Sequence, residues 1–295
     1  MKRQALFSSV VSLAALSVPT FAAEPEMFGH RYGKNAFNFE GMPAGPQPLR
    51  NLSRLPDGKA NAGRLVGDYN NPILTREAAA VVRQKGEMAT KGGFRNAQDQ
   101  CRSIAPPFTF AMQLGLVMLP AKNGDIDILY DQNANTRHIR MNASHPAKIV
   151  PSSMGDSVGH WEGDTLVVDT VGVKVDPYTS VDRFGTPQSE QMHVVERYRL
   201  IDGPTAKAQI DKYETSEGTV GGGGRDAGYD PNTNLKGLEL QVTMEDPKTF
   251  TQPLTARVTY RRLNSEWTES VCADNPQEHY KDEWVGLPRA ARSDF

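Results

Sequence analysis

Cysteine is scarce: Cys101 and Cys272 are the only two in 295 residues. Two thiols this far apart do not make a metal signature, and in an oxidising compartment their simplest fate is one disulfide. Charge of one sign is also missing. Lys plus Arg number 33, Asp plus Glu 35, and no block of either sign occurs. The electrostatic footprint of a nucleic-acid or anionic-membrane partner is therefore absent. No apolar run after residue 23 is long enough to span a bilayer, and no lipobox cysteine is present. The six histidines form no His-x-His or His-Glu-x-x-His pair, so spacing specifies no metal. There is no Gly-x-Ser-x-Gly elbow, and Gly221 to Gly224 lack the Lys-Ser/Thr of a phosphate-binding loop.

What is present begins at the N-terminus. Lys2 and Arg3 precede an apolar and small run from Ala5 to Val18, and Thr20-Phe21-Ala22 offers small residues for cleavage. The apolar run is near 14 residues where a spanning helix needs about 20. Residues 1–22 are read as a signal peptide, which predicts a periplasmic or secreted protein with no membrane span. Its removal takes two positive charges and moves the net charge from -2 to about -4.

Residues 23–100 read as an N-terminal arm with a short helix. Gly, Pro and Asn crowd positions 24 to 73, while Phe28, Tyr32, Phe37 and Phe39 suit an arm that docks. Thr75 is the expected N-cap of a helix through Glu77, Ala79, Val82 and Arg83, with Gly86 ending or interrupting it. Residues 101–295 read as a β-rich domain. Hairpin-like units fall at 125–141 and 157–171, and further strands at 192–200, 238–244, 254–262 and 267–271. Ala206 to Lys212 suits a short helix, and residues 215 to 235 a long loop. At least seven strands with short links predict an all-β fold: an antiparallel, lipocalin-like barrel or a β-sandwich.

Alternation sorts side chains to faces. Leu166, Val168 and Thr170 oppose Thr165, Val167 and Asp169. His193, Val195, Arg197 and Arg199 oppose Met192, Val194, Glu196, Tyr198 and Leu200. Glu196 on the apolar side is therefore paired, for instance with an arginine, or has a raised pKa. His193, Glu190 and His160 are the proton-handling candidates, with His145 and Arg197 as orienting groups. Asp156, Ser157 and His160 lie close in sequence, but a triad needs geometry that proximity does not supply.

Gly155-Asp156-Ser157-Val158-Gly159-His160-Trp161-Glu162-Gly163-Asp164-Thr165-Leu166-Val167-Val168-Asp169-Thr170 resembles the central signature of a large family of uncharacterised secreted and periplasmic bacterial proteins. Ser189-Glu190-Gln191-Met192-His193-Val194-Val195-Glu196-Arg197-Tyr198 is similar to its second motif. The family commonly has histidine where this sequence has Gln188, which leaves Glu190 and His193 as the nearby candidates. The resemblance implies export and a β-rich core. It brings no activity and no cofactor.

The expectation is a protein that binds a small organic molecule in a β-domain cavity, acting as a lyase, isomerase or hydrolase by acid–base chemistry without a cofactor. The alternatives are a non-catalytic ligand carrier, or an assembly protein whose N-terminal arm wraps a second subunit as a homo-oligomer.

Overall fold

The computed structural model describes residues 25–33, 37, 66–91, 97, 101–111, 115–131, 135–217 and 229–264. Nine strands close into a barrel in which each is bonded to its sequence neighbours. They are β1 (Gly29–Gly33), β2 (Gly115–Pro120), β3 (Ile126–Tyr130), β4 (Asn135–Met141), β5 (Asp156–Glu162), β6 (Thr165–Val171), β7 (His193–Ile201), β8 (Gly237–Glu245) and β9 (Leu254–Arg262). The barrel form of the fold expectation thus holds, and the sandwich is excluded. Eight of the nine pairings are antiparallel, including β1 with β9; β4 and β5 run parallel. That exception is a topological necessity. A closed ring of an odd number of strands cannot alternate direction all the way round. The parallel junction needs a crossover, and residues 142–155 supply it.

Period-two alternation determines which side chains fill the barrel. Leu116, Met118, Ile126, Ile128, Tyr130, Ile139, Leu166 and Val168 point inward, as do Val194, Tyr198 and the inward residues of β8 and β9. They form one contiguous core, with Trp161 packed against it. Burial of each large aliphatic side chain contributes about 1.5–3 kcal/mol, so this core dominates the folding energy. The β5–β6 hairpin turns at Gly163, whose φ of +64° is the left-handed geometry expected of it.

Two helices lie against the barrel. Thr75 caps α1 (Arg76–Thr90) by accepting from the Ala78 N–H at 3.1 Å. Gly86 neither ends nor breaks α1, contrary to expectation. It is buried against Val66, whose Cγ1 would lie 2.6 Å from an added Cβ, so its role is close packing. The second helix, α2 (Gly203–Glu217), is longer than the stretch read from sequence. Gln209 of α2 donates to Glu239 at 3.0 Å, and Ala206 is fully buried.

The N-terminal segment contributes β1, a strand the sequence reading did not contain. Phe28 and Phe37 pack against the core, and Tyr32 is buried. Trp267, His279, Cys272, Phe39, Gly221 to Gly224 and the expected strand at 267–271 lie outside the described residues, as do residues 1–24. Cys101 is described and is not a free thiol. No helix among the described residues is long and apolar enough to cross a membrane.

Candidate functional site

The barrel interior holds a linked polar group of side chains centred on an ion pair. Arg137 on β4 and Glu196 on β7 are both fully buried and form a two-pronged ion pair, Nη2 to Oε1 at 2.6 Å and Nη1 to Oε2 at 2.8 Å. Thr170 accepts from Arg137 Nη2 at 2.8 Å and donates to Glu196 at 3.1 Å. Ser157 accepts from Arg137 Nε at 2.9 Å, and the Tyr198 hydroxyl donates to Glu196 Oε2 at 2.8 Å. Burial alone would lower the guanidinium pKa, but Glu196, Tyr130 and Tyr198 reverse this and hold it well above its usual value. The arginine expected for Glu196 is therefore Arg137. It could have been identified from alternation, which puts Arg137 on the face of Ile139.

A second constellation sits on the outer wall, where β5, β6, β7 and β8 lie side by side. Asp169 on β6 accepts from two histidines. Its Oδ2 lies 2.9 Å from His193 Nε2, and its Oδ1 lies 3.0 Å from His145 Nε2. His145 comes from the crossover, and its other nitrogen meets Asp156 Oδ1 at 2.5 Å. Arg140 donates to the same Asp156 oxygen at 2.7 Å. His193 Nδ1 faces the Glu245 carboxylate at 4.0 Å, which follows from the register that sets His193 opposite Glu245. Buried Asp246 positions this edge. It accepts from the Ser189 N–H at 2.6 Å and the Ser189 hydroxyl at 2.8 Å, tying the entry of β7 to the end of β8.

The sequence candidates divide between two outer-wall clusters. His145 and His193 converge on Asp169. His160 and Arg197 instead meet at Glu162, at 3.2 and 2.6 Å. Glu190 is exposed in the turn before β7 and takes no part in either cluster. A proton-handling His193 in a β-domain cavity would need to face inward; its strand parity places it on the outer wall instead, because Val194 and Glu196 take the inward positions. Asp156 and His160 are likewise outside while Ser157 is inside, so these three form no triad. Asp169 is the residue that sequence reasoning missed. Its assignment to the face of Val167 was correct, but only the fold brings the His145 loop to it. Among the described residues no cluster of three or more His, Cys, Asp or Glu is arranged to hold a metal ion.

The ion pair shifts both partners. Its hydrogen bond to Asp169 raises His193 above its usual 6.5, against a smaller opposing effect of burial. The bond from His193, then that from His145, lowers Asp169 below its usual 3.8. His193's contribution to stability is complete below pH 6.5 and is lost as pH rises through its higher folded value. Asp169's is complete above 3.8 and is lost as pH falls through its depressed value. The thermal midpoint of wild type should therefore exceed that of His193→Gln most between about pH 4 and 6.5, the gap narrowing above neutrality. Melting curves of both proteins across pH check this; a gap independent of pH would refute it.

Comparisons with protein-family models, with curated proteins and with solved structures return no match for this chain.

Proposed function

We propose that this protein is exported and uses His193 for proton transfer on a small organic molecule bound against the outer wall of its barrel, without a cofactor. The reaction class is that of a lyase, isomerase or hydrolase. The observation that carries the reading is the shared carboxylate. Asp169 engages one nitrogen of His193, fixing the ring, while Nδ1 remains 4.0 Å from Glu245 on a partly exposed side chain. Both nitrogens of His145 are taken by carboxylates, so His145 orients Asp169 and His193 carries the proton. A carboxylate behind an imidazole selects its tautomer and stabilises the imidazolium that forms on proton uptake.

The test is an NMR screen of small organic compounds that records both binding and conversion. Compounds that shift the His193 ring resonances and are converted support the reading. A compound that shifts them and is recovered unchanged marks a carrier. Conversion that leaves these resonances untouched places the chemistry elsewhere.

Export is supported by Lys2, Arg3 and the apolar run that follows. It goes with a Cys101–Cys272 disulfide. The chain-entropy model assigns about 5 kcal/mol to closing a loop of about 170 residues. Intact mass after alkylation of unreduced, unfolded protein is expected to show no added label, and two labels after reduction. Two labels without reduction would remove the bond.

A further inference from the structure

At the pole of the barrel opposite His193, two arginines meet. Arg31 on β1 and Arg262 on β9 are directly opposed in register. Arg31 is fully buried. Its Nη1 donates to the Lys236 carbonyl at 3.1 Å and its Nη2 to the Glu26 carbonyl. Arg262 Nη2 donates to that same Glu26 carbonyl at 3.2 Å. The Glu26 carboxylate is turned away to Lys236 Nζ, at 3.1 Å. Arg31 Nε is buried with no partner, and among the described residues no carboxylate forms an ion pair with either guanidinium.

This arrangement is unfavourable as it stands. Like charges directly opposed across a strand pair repel. Buried charges are ordinarily paired, and two carbonyl dipoles do not neutralise two cations. Burial and the neighbouring Arg262 charge push the Arg31 pKa down to about 10, against the opposing influence of Glu26. A guanidinium presents a planar fork of N–H donors matched to an oxyanion, and two forks converging on one point suit a single such group.

We propose that Arg31 and Arg262 form a binding site for a small oxyanion, the carboxylate or phosphate group of a small molecule, independent of the His193 site. The anion supplies the negative charge that the described residues do not, and Arg31 Nε and the N–H groups of Arg262 not bonded to Glu26 receive it. Glu26 positions both side chains through its carbonyl.

Thermal melts and calorimetric titrations at constant ionic strength test this, with sodium phosphate and sodium acetate compared against sodium chloride. Phosphate or acetate should raise the melting temperature by several degrees, saturably, with one site per chain. A response to phosphate alone identifies a phosphate-bearing ligand, and a response to acetate alone an organic acid. Arg262→Gln, at a strand end, should keep the fold and weaken binding by about tenfold or more. Arg31→Met should abolish binding and melt no lower than wild type in chloride, because it removes an unpaired buried charge. His193→Gln should bind the anion as wild type does. Equal stabilisation by chloride, or unchanged affinity in Arg262→Gln, would overturn the proposal.

Discussion

Replacing Arg137 by methionine should destabilise the protein by about 3–5 kcal/mol, because it leaves the Glu196 carboxylate buried and unpaired. Methionine roughly matches the volume of the arginine stem, so little of the loss comes from a cavity. Glu196→Met alone should cost a similar amount for the reciprocal reason. The double variant should recover more than half of the summed loss, since an apolar pair has no charge to desolvate. Denaturant unfolding of the four proteins measures the coupling. Additive losses would mean that the two side chains act independently, which the two-pronged geometry contradicts. Part of each loss will remain in the double variant, because Ser157, Thr170 and the Tyr198 hydroxyl lose partners.

On any substrate the protein converts, His193→Gln should lower turnover by about 10²–10⁴-fold, the usual contribution of a positioned acid–base group. Glutamine keeps hydrogen-bonding capacity towards Asp169 and similar bulk, but it does not carry a proton. Turnover must therefore fall far more than stability. If His193 only bridges strands, the glutamine variant retains most activity and the alanine variant loses stability instead. His160→Gln is the control. His160 is bonded to Glu162, away from Asp169, and its replacement should leave turnover near wild type. Measured kcat beside the melting midpoint decides between these outcomes for each variant.

The barrel was legible wherever a strand alternates between clear punctuation. Leu166, Val168 and Thr170 point inward as expected, and so does Glu196. Strand β1 was hidden because Gly-His-Arg-Tyr-Gly has no apolar alternation and puts an arginine on its inward side. The parallel β4–β5 pair was also illegible, since parity describes one strand and says nothing about which neighbour it joins. The site was half visible. Residue chemistry nominated His145 and His193, and alternation put His193 on one side of its strand. Which side faces outward, and that the loop from residue 142 carries His145 to Asp169, are properties of the closed barrel. Arg31 escaped notice for the same reason as β1.

One consequence of the closing pair concerns how the chain comes together. Strand β1 bonds to β9, about 230 residues later, so the seam is the slowest kind of contact to form. Until Leu254–Arg262 docks, the folded part is an open eight-stranded sheet with bare edges on β1 and β8. Each bare edge offers a row of unpaired N–H and C=O groups to any other strand, including the same strand of a second molecule. The vulnerable species is thus the nearly finished chain. Its protection arrives in a single step, when the last strand of the barrel seals both edges at once.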